Sequence, residues 1–310
     1  MVEAAYERIR SCVIETPVED VSRLFPSTAG AFFKMENLQE TGSFKLRGAT
    51  NKVLSLSAKQ AAAGVIAASN GNHGLGVAAA ARRAGIAAEV YVSNHVSPGK
   101  ANRIEELGAL VRRAGDDPLD AELAARTAAE QSGKVFISPY NDVDVMAGQG
   151  TIALELFRQL RRADAVFVAV GGGGLIGGIG AYLKSASPQT EVVGCWPKNS
   201  PVLYESIKAG KILDVPEQPT LSESTAGGLE PGCVTLDVCR KVIDHSVLVS
   251  EEEIVAAMQL VRDQQQWLIE GAAGVAVAAL LKESKRYAGK TAAVIICGGN
   301  PSENVLAKLT

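Results

Sequence analysis

The feature that most constrains this chain is a run of four glycines directly after an apolar segment. Residues Val166–Val170 predict a buried parallel strand, Gly171–Gly174 follow it, and a helix is predicted from Leu175. Without Cβ atoms, the backbone N–H groups of such a loop approach an anion closely, and the helix adds its positive N-terminal end. The loop therefore predicts a phosphate site. A tight turn for close packing is the alternative, and it explains one glycine better than four.

Two nucleotide motifs are missing around this loop. It lacks the Gly-Lys-Ser/Thr sequence of a nucleotide P-loop. A dinucleotide site would need an acidic residue about 20 positions further on, where Glu191 is the only candidate. The phosphate is therefore expected to belong to another kind of ligand.

Short apolar strands alternate with Ala-rich helices along the 310 residues, which predicts an α/β fold with parallel sheets and flanking helices. The predicted strands are Ala31–Met35, Val65–Ser69, Glu89–Val92, Val135–Ile137, Ala165–Val170, Glu191–Cys195 and Ala292–Cys297. The predicted helices are Leu75–Ala84, Lys100–Leu107, Leu119–Ser132, Thr151–Leu160, Leu175–Ser185 and Glu251–Gln266. Ligands of open α/β sheets bind beyond the carboxyl ends of the strands, so the loops there are the candidate sites.

A second polar junction, Ser69-Asn70-Gly71-Asn72-His73-Gly74, lies between the strand at Val65 and the helix at Leu75. It gathers small hydrogen-bond donors at a helix N-terminus, where they could surround a substrate carboxylate. A helix cap followed by a turn explains the same residues equally well.

The third junction is Thr41–Ala49, in which Lys45 stands at the start of a predicted helix between Ser43-Phe44 and Leu46-Arg47-Gly48. A lysine in such a pocket would be a reactive amine, because desolvation lowers its pKa. Spacing alone favours an ordinary solvated lysine.

Composition excludes several classes of protein. The net charge of −3 and the lack of a basic stripe argue against nucleic-acid binding. The apolar segments are interrupted too early to span a membrane. Five cysteines without metal-ligand spacing indicate reduced thiols, and the charged N-terminus shows no signal peptide, so we expect a cytoplasmic protein.

Together, these motifs resemble the serine/threonine dehydratase and serine racemase branch of the fold-type II pyridoxal 5′-phosphate (PLP) enzymes, relatives of tryptophan synthase β subunits. The resemblance runs from Thr16 to Asn300. Its motifs are KMENLQETGSFKLRGA, SNGNHG, the block Pro139–Thr151 ending in AGQGT, GGGG, LIEGAAG and CGGN.

This resemblance implies two open, twisted parallel-sheet domains with PLP in the cleft between them. The larger domain would comprise residues 1–50 and 144–310, and the smaller, mobile domain residues 51–143. It also implies a homodimer.

The resemblance also assigns roles to individual residues. Lys45 would carry PLP as a Schiff base and act as the acid and base at the substrate Cα. The other cofactor-binding residues would be Phe44, Asn72, Gly171, Gly172, Gly173, Gly174, Gly228, Glu270 and Cys297. Those around the amino acid substrate would be Ser69, Asn70, Gly71, His73 and Tyr140.

The implied reaction is removal of water and ammonia from a small 3-hydroxy amino acid, leaving a 2-oxo acid. The thiol of Cys297 would face the pyridine nitrogen, and a neutral partner leaves that nitrogen largely unprotonated, which favours prompt loss of a β-hydroxyl. No arginine near Asp120 corresponds to the one that binds a second carboxylate in some relatives, so a monocarboxylic substrate is expected.

Two departures from the racemase branch narrow this expectation. Asn70 replaces the serine that acts as the second base in racemases, so we expect weak or no racemisation. Trp196 and Val202 stand where that branch places acidic metal ligands, so we expect no divalent cation there. A racemase, a β-replacement enzyme and a non-catalytic small-anion-binding protein remain the alternatives.

Overall fold

Ten strands in two separate sheets, with thirteen α-helices, build the part of the chain that the computed structural model describes, residues 1–160 and 162–309. The strands are β1 Val18–Asp20, β2 Gly30–Lys34, β3 Val65–Ala68, β4 Ala88–Val92, β5 Leu110–Arg113, β6 Val135–Phe136, β7 Ala165–Ala169, β8 Glu191–Pro197, β9 His245–Val249 and β10 Thr291–Ile295. Arg161 and Thr310, which the predicted larger domain includes, lie outside the described residues.

The helices lie between and around these strands. They are α1 Val2–Ile9, α2 Lys45–Leu54, α3 Ala58–Ala63, α4 Asn72–Ala84, α5 Pro98–Glu106, α6 Pro118–Ser132, α7 Val143–Leu160, α8 Gly174–Ala186, α9 Val202–Ala209, α10 Val234–Val242, α11 Glu251–Gln265, α12 Gly271–Lys282 and α13 Glu303–Ala307. Within the described residues, no helix is long and apolar enough to span a membrane.

The larger sheet has the strand order β1-β2-β10-β7-β8-β9. Its neighbouring strands are parallel except for β1, which pairs antiparallel to β2 and was not predicted. All five residues of β7 are buried, and α8 and α12 pack against it, as expected for a central parallel strand covered by helices. The largest hydrophobic core of the molecule lies around this sheet.

The smaller sheet has the order β5-β4-β3-β6 and is parallel throughout. Helices α4 and α6 pack on it, and it has a hydrophobic core of its own, with members from Ala49 to Val145. The fold class is therefore the one predicted, with two parallel-sheet units. The domain boundaries at residues 50/51 and 143/144 stay a prediction.

Helix α2 connects the two units, because it packs against both α4 and α7. Its Arg47 is fully buried and binds two carboxylates, Glu36 at 2.7 Å and Glu155 at 2.6 Å. The buried Lys34 ammonium lies 2.7 Å from Glu155. Two cations and two anions thus balance inside the protein, which is the condition under which buried charges are tolerated. This cluster anchors the helix that begins with Lys45.

Candidate active site

One cavity lies at the carboxyl ends of β7 and β10 and joins two of the three predicted junctions, the glycine loop and the Lys45 segment. Its lining residues include Phe44, Lys45, Pro139, Tyr140, Gly171, Gly172, Gly173, Gly174, Ser224, Thr225 and Cys297. These residues come from five separate stretches of sequence. The lysine, the glycine loop and the thiol that the sequence singled out therefore meet in one place.

Lys45 is the first residue of α2, and its Nζ donates a hydrogen bond to the carbonyl oxygen of Pro139 at 2.9 Å. Burial of the ammonium lowers the pKa of Lys45 to about 8, an effect that Glu270 and Cys297 partly oppose. About a tenth of the amine is therefore unprotonated at pH 7, far more than for an exposed lysine. This is the property of a lysine that forms a covalent bond to a carbonyl group.

The glycine loop connects β7 to α8 and leaves no room for side chains. A Cβ at Gly172 would lie 2.4 Å from Cγ of Tyr140, and one at Gly171 would lie 2.7 Å from the carbonyl oxygen of Thr225. Gly173 has φ +87°, a left-handed conformation that favours glycine. The loop ends at the N-terminus of α8, a helix of 13 residues, which suits a phosphate.

Glu270 links the cavity to its surroundings. Its buried carboxylate accepts hydrogen bonds from Asn72 Nδ2 at 2.8 Å and Ser224 Oγ at 3.0 Å, and Cys297 Sγ lies 3.9 Å away. Burial raises the pKa of Glu270 and raises the pKa of Cys297 well above its usual range. Cys297 is therefore a neutral thiol, the weak hydrogen-bond partner expected from the sequence.

A chain of side-chain amides sets the direction of Asn72. Asn300 Nδ2 donates both to the carbonyl oxygen of Thr41 at 2.9 Å and to Asn72 Oδ1 at 2.8 Å. Since the carbonyl oxygen of Thr41 only accepts hydrogen bonds, the side-chain nitrogen of Asn300 must face it. The atom of Asn72 that bonds to this nitrogen must therefore be its oxygen. The nitrogen of Asn72 then faces Glu270.

The Ser69–Gly74 junction lies at the N-terminus of α4. Both polar atoms of the Asn70 side chain bond to Ser93, each at 2.9 Å, so this amide is held away from a ligand. Ser69 Oγ accepts from Gly71 N at 3.1 Å. The substrate-binding roles of Ser69, Asn70 and Gly71 stay predictions. Because the Asn70 side chain is bonded to Ser93, Asn70 could bind the substrate only through its backbone.

His73 is buried at the first turn of α4. Its Nε2 lies 2.8 Å from the carbonyl oxygen of Ile137, an acceptor, so that nitrogen carries the hydrogen. Burial, assisted by the nearby Lys45, lowers the pKa of His73 to about 3. The imidazole is therefore neutral at physiological pH and does not compete with Lys45 as a base.

Several residues of the site were missed by sequence reasoning. Ser224 and Thr225 line the cavity, and Asn300 orients Asn72. The carbonyl oxygen of Pro139 accepts a hydrogen bond from Lys45. The CGGN motif that contains Asn300 was the one available signal. Gly228 lies three residues beyond Thr225, and an added Cβ there would meet no atom within 4 Å, so its predicted cofactor contact stays a prediction.

Trp196 and Val202, at the expected metal position, are both buried apolar residues. The indole ring lies 5.6 Å from the ring of Tyr204. In residues 1–160 and 162–309, no three His, Cys, Asp or Glu side chains are grouped so that they could hold a metal ion.

The donor set of this cavity fits PLP. An amine of lowered pKa, an anion-binding glycine loop and a neutral thiol are the groups needed for its aldehyde, its phosphate and its pyridine nitrogen. The family model described as "Pyridoxal-phosphate dependent enzyme" matches residues 9–298. The chain belongs to this family, and its cofactor is pyridoxal phosphate.

Known proteins extend the comparison over nearly the whole chain. An L-threonine ammonia-lyase of Thermotoga maritima is 39% identical over 99% of this chain and 77% of its own length. A beta-hydroxyaspartate dehydratase of Paracoccus denitrificans is 35% identical over 96% and 94%. The crystal structure of serine racemase from Dictyostelium discoideum superposes with a TM-score of 0.89 at 32% identity, covering 97% of each chain.

Proposed function

We propose that this protein is a PLP-dependent ammonia-lyase that converts a small 3-hydroxy amino acid into a 2-oxo acid and ammonia. The observation that carries the proposal is the cavity in which Lys45, the glycine loop and the neutral Cys297 thiol meet. The relatives named ammonia-lyase and dehydratase support the same reaction class. When bound, PLP supplies the electron sink that makes the substrate Cα–H bond acidic.

Three groups of this chain would hold the cofactor. Lys45 Nζ would attach it covalently, and Gly171–Gly174 together with the N-terminus of α8 would bind its phosphate. Cys297 would face the pyridine nitrogen without protonating it, because its own thiol keeps its proton. A weak hydrogen-bond partner at this nitrogen would favour prompt loss of the β-hydroxyl from the substrate.

Lys45 would also move the proton at the substrate Cα. The structure supports this role because the Lys45 amine loses its proton near pH 8, close to the working pH of a general base. His73, the nearest imidazole in the junction at α4, stays neutral and already bonds to Ile137. The proposal therefore has one acid and base, Lys45, on one face of the substrate.

The substrate is proposed to be a monocarboxylic 3-hydroxy amino acid such as serine or threonine, or a bulkier relative. Its carboxylate would lie at the N-terminus of α4, beside Ser69 and Gly71, where backbone N–H groups and the helix dipole favour an anion. Tyr140, whose ring lies against Gly172, would border the site.

The test is release of 2-oxo acid by the purified, PLP-loaded protein. L- and D-serine, threonine, 3-phenylserine and 3-hydroxyaspartate are supplied in turn. We expect turnover of at least one monocarboxylic substrate and visible absorbance of the bound cofactor, and Lys45→Ala should abolish both. Lys59→Ala, an exposed lysine of α3, is the matched control. A colourless protein that takes up no PLP would refute the proposal.

The racemase alternative is tested in the same reactions. Racemisation needs a second base opposite Lys45, and the Asn70 amide is an unsuitable base that is already bonded to Ser93. We expect the serine left in the reaction to keep its configuration. Steady accumulation of the other enantiomer, followed by chiral chromatography, would favour a racemase.

A homodimer is the proposed state of the enzyme, from the family resemblance, and the cytoplasm is its proposed location, from its cysteine usage. Light scattering during size-exclusion chromatography should give the mass of two 32.3 kDa chains. A monomeric mass at micromolar concentration would contradict it.

A further inference from the structure

Glu230 is the centre of a polar contact between the two sheet units. It lies in the loop from Ser224 to Cys233, here called the 224–233 loop, which leads into α10 and begins with the cavity-lining Ser224 and Thr225. Helix α10 packs on α8 and α9, on the side of the larger sheet. The loop therefore belongs to the larger unit, while its carboxylate reaches across to the other.

Three side chains from the other side of the cavity converge on the Glu230 carboxylate. Arg126 of α6 lies 2.6 Å away, Asn141 Nδ2 donates at 3.1 Å, and Ser138 Oγ donates at 3.2 Å. Helix α6 packs on β3 and β4, so Arg126 belongs to the smaller unit. The side chains of Arg126 and Glu230 are 32% and 19% exposed, so this ion pair is screened less than a surface pair.

The backbone around Glu230 strengthens the same contact. Its N–H donates to Tyr140 Oη at 2.9 Å, and Val234 N donates to Asn141 Oδ1 at 2.9 Å. Both polar atoms of the Asn141 amide are thus used, the nitrogen toward Glu230 and the oxygen toward the start of α10. Tyr140 in turn lies against the glycine loop, and the carbonyl oxygen of the neighbouring Pro139 accepts a hydrogen bond from Lys45.

We infer that Glu230 is a positioning residue that fastens the 224–233 loop to α6 and to the 138–141 segment, and so keeps the cofactor enclosed. The cofactor would lie between Lys45, the glycine loop and these two segments, so after water has hydrolysed its bond to Lys45 it would leave only when they separate. Each bond to Glu230 resists that separation. The inference rests on PLP binding in this cavity and not on which amino acid is the substrate.

The test is the rate of PLP loss from the holoenzyme during dialysis against cofactor-free buffer, read from the decay of visible absorbance. Glu230→Ala and Arg126→Glu are each expected to lose PLP about tenfold faster, the scale for removing one partner of a partly buried, charge-assisted pair. Glu230→Gln, which keeps one acceptor oxygen without the charge, should fall between wild type and Glu230→Ala. The midpoint of thermal unfolding, measured without PLP, should change little.

A charge-swap cycle separates this contact from general destabilisation. The single variants Arg126→Glu and Glu230→Arg and the double variant that combines them are compared. If the pair acts as inferred, the double variant should lose PLP at least about fivefold more slowly than the product of the two single rate increases predicts. Arg112→Glu is the control, since Arg112 pairs with Glu89 inside the smaller sheet and reaches no cavity residue. Its PLP loss should match the wild type.

Two results would overturn the inference. One is PLP loss within about twofold of the wild type in both single variants, and the other is purely multiplicative effects in the cycle. An unsubstituted protein that binds no PLP would instead refute the proposed function, so the two failures are distinguishable.

Discussion

At the scale of single residues, the Lys45 amine is expected to control cofactor capture through its protonation. Its pKa is about 8 because burial disfavours the ammonium, so below pH 8 the reactive neutral form falls about tenfold per pH unit. The rate of PLP uptake by cofactor-free protein should therefore rise from pH 6 to 8 and level off above. Stopped-flow absorbance measures it, and a rise that continues to pH 10 would indicate an ordinary lysine.

Asn300 provides the second prediction at this scale. Asn300→Ala removes the donor that fixes Asn72, whose nitrogen then no longer has a set direction toward Glu270. We expect about tenfold weaker PLP affinity, the loss typical of one buried hydrogen bond that leaves a partner unsatisfied. Equilibrium titration of cofactor-free protein measures it. Asn94→Ala, at an exposed asparagine, is the control, and equal affinities for both variants would contradict the prediction.

The sequence anticipates those site residues whose chemistry shows in their neighbours along the chain. Gly171–Gly174 and the Ser69–Gly74 junction stand at strand-to-helix turns, where local pattern and function coincide. Ser224 and Glu230 lie in an irregular loop without periodicity. The partner of Ser224 is Glu270, 46 residues away, and the partner of Glu230 is Arg126, 104 residues away. Such contacts depend on the tertiary fold, which no local pattern encodes.

At the scale of elements, the buried central strands were predictable, whereas of the four edge strands only β6 was predicted and β1, β5 and β9 were not. The predicted strand Ala165–Val170 coincides with β7, an apolar run. In β5, Leu110–Arg113, three of the four residues are exposed, and pairing with β4 makes it a strand. Helix α12 was missed because ten of its twelve residues are buried, which leaves no amphipathic period. Helix α1 was not predicted, although it buries Val2, Ala5, Tyr6 and Ile9 at helical spacing, a pattern that is visible in the sequence.

Helices α7 and α8 pack at a glycine contact, which gives an element-scale prediction. A Cβ at Gly178 would lie 2.0 Å from the carbonyl oxygen of Met146, a backbone atom that cannot yield without moving α7. We expect Gly178→Ala to reduce the free energy of unfolding by about 3 kcal/mol or more. Gly99→Ala in α5, where an added Cβ meets no atom within 4 Å, should raise it by about 0.5–1 kcal/mol. Urea unfolding of both variants is the measurement, and similar effects would contradict the packing argument.

The buried cluster of Lys34, Glu36, Arg47 and Glu155 beneath α2 provides a second element-scale prediction. Glu155→Gln would leave Lys34 and Arg47 with Glu36 as the one remaining carboxylate of the cluster, an uncompensated positive charge inside the protein. The expected loss is about 3–5 kcal/mol in the free energy of unfolding. Glu205→Gln, at a half-exposed glutamate of α9, should cost about 0.5 kcal/mol or less. A loss for Glu155→Gln as small as that of the control would show that the cluster is not essential to the fold.

At the scale of the whole molecule, the two sheets have separate hydrophobic cores and meet around the cavity. Their contacts there include the polar group around Glu230, with Arg126, Asn141 and Ser138, whereas each core is apolar. Polar contacts open at a smaller cost in free energy than a packed core does, so motion between the units is expected to occur at the cavity. The family resemblance likewise predicts a mobile smaller domain, residues 51–143, and its motion would close the cavity.

Hydrogen exchange would detect this closure. Binding of PLP and an unreactive substrate analogue should slow amide exchange at least about tenfold in residues 69–74, 138–141 and 224–233. The last two segments contribute residues to the cavity lining, and the first is bonded through Asn72 to Glu270 beside it. Strand β7 lies in the larger core and should exchange by global unfolding, so its rate should respond only as far as the ligands stabilise the whole protein. Slowing of the same size in all segments would indicate general stabilisation and would contradict closure between the two units.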